Sequence, residues 1–223
     1  MKGTTGATPT MTANTTTTDF DARAATWDDD PAKVERARAI ADAIERHVPL
    51  APTMRALEYG CGTGLLGFML RPRLGDVTLA DVSEGMLEVA AGKIAAAGDA
   101  AMRTVRLDLL ADPLPPQRFD LVFSLMTLHH IPDTAAILRR FRDVLAQPGY
   151  LCIADLDAED GSFHGAGFDG HLGFDREALA ATARAAGFAA VDFSTAHVIT
   201  REAGGEVRRF PVFLMVARTG HSG

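Results

Sequence analysis

The amino-acid sequence predicts an α/β fold: a doubly wound, mostly parallel sheet of seven strands that ends in an antiparallel hairpin. Three observations predict it. Short apolar runs alternate with helix-like stretches through the middle of the chain, a glycine-rich turn leads off the first run, and two strand-like runs close the chain with no helix between them. Alternation of this kind implies right-handed crossovers and a sheet covered on both faces.

The elements follow in order. Residues 1–18 are rich in Thr, Ala and Gly and nearly free of large apolar side chains. Such a segment buries too little surface to offset backbone ordering, so it reads as a disordered tail. Lys2 is followed by hydroxyl residues rather than an apolar stretch, unlike a secretory leader. Residues 19–223 read as a single domain, with residues 19–50 as an N-terminal helical cover. Phe20 and Trp27 are its aromatic anchors, read as core staples with pocket lining as the lesser alternative. Asp30 suits an N-cap and Pro31 the first helical position, opening a helix that Pro49 ends. Val34, Ala37, Ile40, Ala41 and Ile44 share one face of it.

Strand-like runs then occur at 55–59, 77–81, 102–109, 119–127 and 150–155, with helix-like stretches at 64–70, 84–97 and 134–146. The fourth run is nearly all apolar, as a strand covered on both faces requires. Residues 158–173 hold five glycines, two histidines (His164 and His171) and three acids, the composition of a loop or lid over substrate. A helix at 175–186 is closed by Gly187. Strands at 190–199 and 209–218 flank Gly204-Gly205, which predicts a hairpin.

Composition narrows the function. With 47% hydrophobic and 23% charged residues the chain is globular, and its net charge of −7 argues against a polyanionic partner such as nucleic acid. No apolar run is long enough to cross a bilayer, so no membrane partner is expected. Two cysteines, Cys61 and Cys152, make neither a disulfide framework nor a metal site, and the expected setting is cytoplasmic. The histidines lack metal-ligand spacing, so no metal is expected.

The strongest local signal is Glu58-Tyr59-Gly60-Cys61-Gly62-Thr63-Gly64, leading off a strand into a helix. Glycines allow a tight turn and close approach of a ligand, and the helix N-terminus offers free N–H groups. Asp81 lies 21 residues after Gly60 at the end of the next strand, where a carboxylate takes both hydroxyls of a ribose. Glu58 at the mouth of the turn repels phosphate and attracts an ammonium group. That favours S-adenosylmethionine (SAM), which carries an amino group and no phosphate, over a dinucleotide. The spacing Gly60-x-Gly62-x-Gly64 also departs from the dinucleotide fingerprint.

Here the sequence resembles the class I SAM-dependent methyltransferases, most of all the small enzymes with a ubiquinone-biosynthesis-type core. The resemblance spans about residues 27–218 and implies the Rossmann-like methyltransferase fold. It implies that Gly60, Cys61 and Gly62 approach the methionine half and that Glu58 holds its ammonium. Ala80-Asp81-Val82-Ser83 matches the second motif, with Asp81 on the ribose and Val82 against adenine. In Leu107-Asp108-Leu109, Asp108 would accept from the adenine amino group and the Leu109 N–H would donate to the ring. The run 119–124 resembles the fourth motif, with the Ser124 backbone beside the methionine half. Tyr150 replaces the second glycine of the family's usual Pro-Gly-Gly. The Asp-Pro-Pro-Tyr-type tetrad of enzymes that methylate nucleic-acid amino groups is absent.

The expectation is therefore a SAM-dependent methyltransferase acting on an O, N or C nucleophile of a small-molecule acceptor. The alternatives are an NAD(P)-dependent oxidoreductase and a non-catalytic SAM-binding protein. His129 and His130 stand at the carboxyl edge of the sheet, where ligands of α/β proteins bind, as candidate general bases or as loop packing.

Overall fold

The computed structural model describes residues 15–165, 167–203 and 206–220. Three helical segments open the chain: α1 (Thr15–Arg23), a 3-10 segment (Ala24–Asp29) and α2 (Pro31–His47). The expected capping holds, since the Asp30 carboxylate accepts from the Ala32 N–H at 3.0 Å with Pro31 in the first turn. Helix α1 begins at Thr15, so residues 15–18 do not belong to a disordered tail as the threonine-rich composition suggested. The rest of that expectation, residues 1–14, lies outside the described residues.

The sheet has seven strands in the order β3-β2-β1-β4-β5-β7-β6. Strands β1 (Ala56–Tyr59), β2 (Val77–Asp81), β3 (Met102–Arg106), β4 (Phe119–Leu125) and β5 (Leu145–Leu156) run parallel. Strands β6 (Phe188–Ala203) and β7 (Glu206–Thr219) pair antiparallel, and β7 docks antiparallel on β5. Helices α3 (Leu65–Leu70), α4 (Glu84–Ala97), α5 (Thr134–Val144) and α6 (Arg176–Ala185) complete the fold.

Two apolar cores follow from the period-2 alternation of the strands. Leu121, Phe123, Val212 and Leu214 face the side covered by α2, α3 and α4, where they meet Ile40, Ile44, Leu66 and Leu70. Val122, Phe213 and Met215 face the other side with Ile137, Leu138 and Phe141 of α5 and Leu179 of α6.

Three elements differ in extent from expectation. Strand β3 stops at Arg106 because residues 107–112 fold into a turn: the Asp108 carbonyl accepts from the Ala111 and Asp112 N–H groups. Strand β5 starts at Leu145, which pairs with Phe119 ahead of a register shift. The hairpin is longer than its apolar pattern indicated: β6 and β7 stay paired out to Ala203–Glu206, beyond the last β5–β7 pair at Leu156–Val212. Its Gly204-Gly205 connection lies outside the described residues. No helix among the described residues is long and apolar enough to cross a membrane.

Candidate functional site

The carboxyl ends of β1, β2 and β4 open into one cavity of about 540 Å³, within the range of small-molecule sites. Strand order reverses between β1 and β4, and such a switch point leaves a crevice in an open α/β sheet.

The glycine turn builds one end. Gly60, Gly62 and Gly64 have φ of +65°, +52° and +81°, a region costly to other residues. A Cβ on Gly60 would overlap the Thr127 side chain, whose hydroxyl donates to the Gly60 carbonyl at 3.1 Å. The Gly62 N–H donates to the Asp81 carboxylate at 2.7 Å, and that carboxylate also accepts from the Val82 and Ser83 N–H groups at 2.8 and 3.0 Å. Asp81 thus ties the end of β2 to the turn while lining the cavity. Burial raises its pKa above the ordinary carboxylate value, against the pull of these three bonds.

Glu58 sits differently from the expected anion at the mouth. It is 2% exposed, on the cavity floor beneath α3, and accepts from the Gly67 N–H at 2.9 Å. Burial pushes its pKa up to about 8, with Asp81 adding to the rise and Gly67 and Lys93 opposing it. The physics is that of a desolvated carboxyl awaiting a cation, not of a surface charge at a lip.

The N-terminal segment covers this end, with Phe20, Arg23 and Trp27 lining the cavity. Trp27 Nε1 lies 3.9 Å from where a Gly62 Cβ would stand, and Lys33 sits 3.9 Å above the indole. The Asp21 carboxylate accepts from Ser83 Oγ at 2.5 Å and from the Gly85 N–H at 2.9 Å. Asp28 accepts from Thr63 Oγ1 at 2.5 Å and pairs with Lys93 at 2.7 Å.

At the other end stands His129, 2% exposed, on the short 3-10 turn Leu128–His130. Its Nδ1 lies 2.7 Å from Asp155 Oδ1, and its backbone N–H donates to Asp155 Oδ2 at 3.2 Å. Asp155 is fully buried at the end of β5. A carboxylate only accepts, so Nδ1–H is the donor of this bond and Nε2 is the ring nitrogen left for another partner. His130 and His164 stand 4.2 and 4.9 Å from the His129 ring, and burial, followed by His129, pulls both down to about 4. Both are neutral at neutral pH, which spares the pocket a cluster of positive charge.

The cavity brings together Glu58, Gly60, Cys61, Gly62, Asp81, Val82, Asp108, His129 and His130. Two expected residues lie elsewhere. The Leu109 N–H does not point at a ligand: Leu109 is fully buried and donates to the Tyr59 hydroxyl at 3.2 Å, so it is removed from the site. Ser124 is also buried behind the wall, its hydroxyl donating to the Tyr59 carbonyl at 2.8 Å, while Leu125, Met126 and Thr127 face the cavity instead. Asp108 remains at the wall, its carboxylate accepting from the Leu110 N–H at 2.9 Å. His164 lines the cavity, whereas His171 is turned to the Ile131 carbonyl at 3.0 Å. Cys152 is a core residue, and Asp120 lies within β4 rather than in a turn, its carboxylate accepting from the Arg55 N–H at 2.8 Å. Sequence reading missed Asp155, Arg36, Phe163 and Arg201. Only Asp155 had a signal, as an acid ending an apolar strand.

A Rossmann-like sheet with a glycine turn, a strand-end acid and a cavity at the switch point is the arrangement in which open α/β sheets hold nucleoside-containing ligands. The family profile described as "Methyltransferase domain" matches residues 57–151. An uncharacterized methyltransferase of Mycobacterium tuberculosis is 36% identical over 110 residues, 49% of this chain and 54% of that protein. A ubiquinone biosynthesis O-methyltransferase of Marinobacter nauticus is 32% identical over 123 residues, 54% and 51% of the two chains. The chain spans about half the length of the curated relatives it matches. Phosphoethanolamine N-methyltransferase 2 of Haemonchus contortus, solved with S-adenosyl-L-methionine, shares the fold with a TM-score of 0.66. That match has 18% identity and covers 81% of this chain and 52% of that one. Over residues 57–151 the chain is therefore similar to methyltransferase domains, and its fold is that of solved SAM-dependent methyltransferases.

Proposed function

We propose that this chain binds SAM at the Glu58–Asp81 end of the cavity and methylates a hydroxyl of a small-molecule acceptor at the His129 end. The observation that carries the proposal is the continuity of one cavity between a nucleoside-type site and a buried His129–Asp155 pair. The residues present fit the cofactor: glycines in positive φ leave room at the turn, Asp81 suits the ribose, and the desolvated Glu58 carboxyl suits the amino group.

When bound, SAM supplies a sulfonium methyl whose leaving group is a neutral thioether, so the protein mainly orients and desolvates. Orientation of this kind is worth ~7–11 kcal/mol of barrier. A hydroxyl is protonated at neutral pH and gains from a base. His129 Nε2 would accept the proton of the acceptor hydroxyl, and Asp155 would stabilise the resulting imidazolium through Nδ1–H. The cover of Phe20 and Trp27 and the loop bearing Phe163 and His164 exclude water.

Titration calorimetry with SAM tests the site. Asp81→Ala removes three charge-assisted bonds that shape the turn, and affinity is expected to fall roughly 10–100-fold, the equivalent of one bond to a charged group. Equal affinity in both proteins would overturn the assignment, and failure of hydroxylated aromatic acceptors to yield S-adenosylhomocysteine (SAH) counts against turnover.

A further inference from the structure

Beyond His129 the cavity ends at two guanidinium groups from distant parts of the chain. Arg36 projects from α2 and Arg201 from the outward extension of β6, and both line the cavity. Arg36 is half-buried, its Nε is fully buried, and among the described residues it makes neither a hydrogen bond nor an ion pair. Arg201, exposed at the rim, donates from Nη1 to the Phe163 carbonyl at 3.0 Å and lies 4.0 Å over the Phe163 ring. Among the described residues no carboxylate pairs with it.

Two cations facing one cavity without a counter-ion are costly, because desolvation and mutual repulsion act together. Both effects lower the pKa of Arg36, burial first and Arg201 second. The acids in reach are already engaged: Asp30 caps Ala32 and pairs with Lys33 at 3.6 Å, and Asp155 holds His129. The charges acting on Arg36 are Arg201, Asp30 and Asp155, whereas those acting on Glu58 are Asp81 and Lys93. The Phe163 ring beneath Arg201 stands 4.7 Å from the His164 ring, which is 4.9 Å from that of His129, so Arg201 lies on the His129 side of the cavity.

We propose that Arg36 and Arg201 form an oxyanion-binding subsite, so that the acceptor is an anionic molecule bearing a carboxylate, phosphate or sulfonate. The planar fork of arginine fits such groups with paired N–H donors. The inference rests on the reading of the His129 end as the acceptor side. It also accounts for the length of the hairpin: Phe210 of β7 packs on Phe163 at 5.2 Å, and Phe163 in turn seats Arg201 over the cavity. Anchored there, the acceptor spans the aromatic wall of Phe163 and the stacked His164–Phe168 pair, whose rings lie 3.8 Å apart, towards His129.

The test compares two fluorescent probes of matched shape, anilinonaphthalene sulfonate and its sulfonate-free parent, phenylnaphthylamine, on the full chain saturated with SAH. The sulfonate should bind wild type about tenfold tighter than the neutral probe, the worth of one charge-assisted pair. Arg201→Gln should reduce that preference and Arg36→Gln/Arg201→Gln should abolish it, with SAH affinity unchanged in both. The proposal is overturned if the sulfonate fails to bind wild type, or if the preference survives the double substitution. It is equally overturned if SAH affinity falls with the sulfonate's, which would give the pair to the cofactor's own carboxylate. Should wild type bind no SAH, the methyltransferase reading fails, and the same comparison on the unloaded protein still decides the anion subsite.

Discussion

At the scale of single residues, Glu58 shows how burial changes what a carboxyl does. With its pKa pushed from 4.5 to about 8, the folded chain holds a proton there that the unfolded chain has lost across that window. The sign follows from linkage: this contribution to stability is fully present below pH 4.5, declines as pH rises to about 8, and is constant above. Denaturant titration of the unloaded protein at pH 5 and 8 should show that decline, and Glu58→Gln should flatten it. An ammonium group arriving beside Glu58 favours the ionised form, so SAM binding near pH 7 should release a proton. Calorimetry in buffers of different ionisation enthalpy reads that proton, and identical heats would remove Glu58 from ammonium binding. Asp155→Asn tests the opposite end. It leaves the cofactor contacts in place but misorients His129, so turnover should drop ~10²–10⁴-fold with SAM affinity unchanged. The identity of these residues as polar groups at strand ends was legible in the sequence, but their partners were not. Tyr59 takes the Leu109 N–H from 50 positions away, a bond that no local spacing announces.

At the scale of elements, the N-terminal cover is held by side chains rather than by a large apolar seam. Asp21 reaches Ser83 and Gly85 at the N-terminus of α4, where a carboxylate is favoured by the unpaired N–H groups. Asp21→Ala should loosen the cover and raise the dissociation constant for SAM several-fold, while thermal unfolding of the unloaded protein barely moves because Asp21 lies at the surface. A variant with unchanged affinity would show that the cover does not contribute to retention of the ligand. The regular elements were readable because period and caps are local: Asp30, Ser83, Asp133 and Asp175 each cap the helix that follows them. Helix α1 was not, because threonines carry no helical period, and its visible anchor is a contact with a segment 62 residues away.

At the scale of the whole molecule, the cavity is made by parts that the chain order keeps apart: α1 and α2, the ends of β1, β2 and β4, Phe163 and His164 after β5, and Arg201 near the end of β6. A ligand that bridges them stabilises the native state through contacts the unfolded chain lacks. At a free concentration 100 times the dissociation constant, this linkage amounts to about 2.7 kcal/mol. For a chain of this size each kcal/mol raises the unfolding midpoint by roughly 2–4 °C, so SAH should raise it by about 5–11 °C. NAD at the same concentration should leave the midpoint unmoved, because the floor beneath the glycine turn presents the Glu58 carboxyl where a diphosphate would need donors. Asp81→Ala should lower the midpoint of the unloaded protein, since Gly62, Val82 and Ser83 lose their acceptor, and should also suppress the ligand-dependent rise. Differential scanning calorimetry separates the two effects. A rise of equal size with NAD would mean that the cavity reads only the nucleoside, and the distinction drawn from Glu58 would fall.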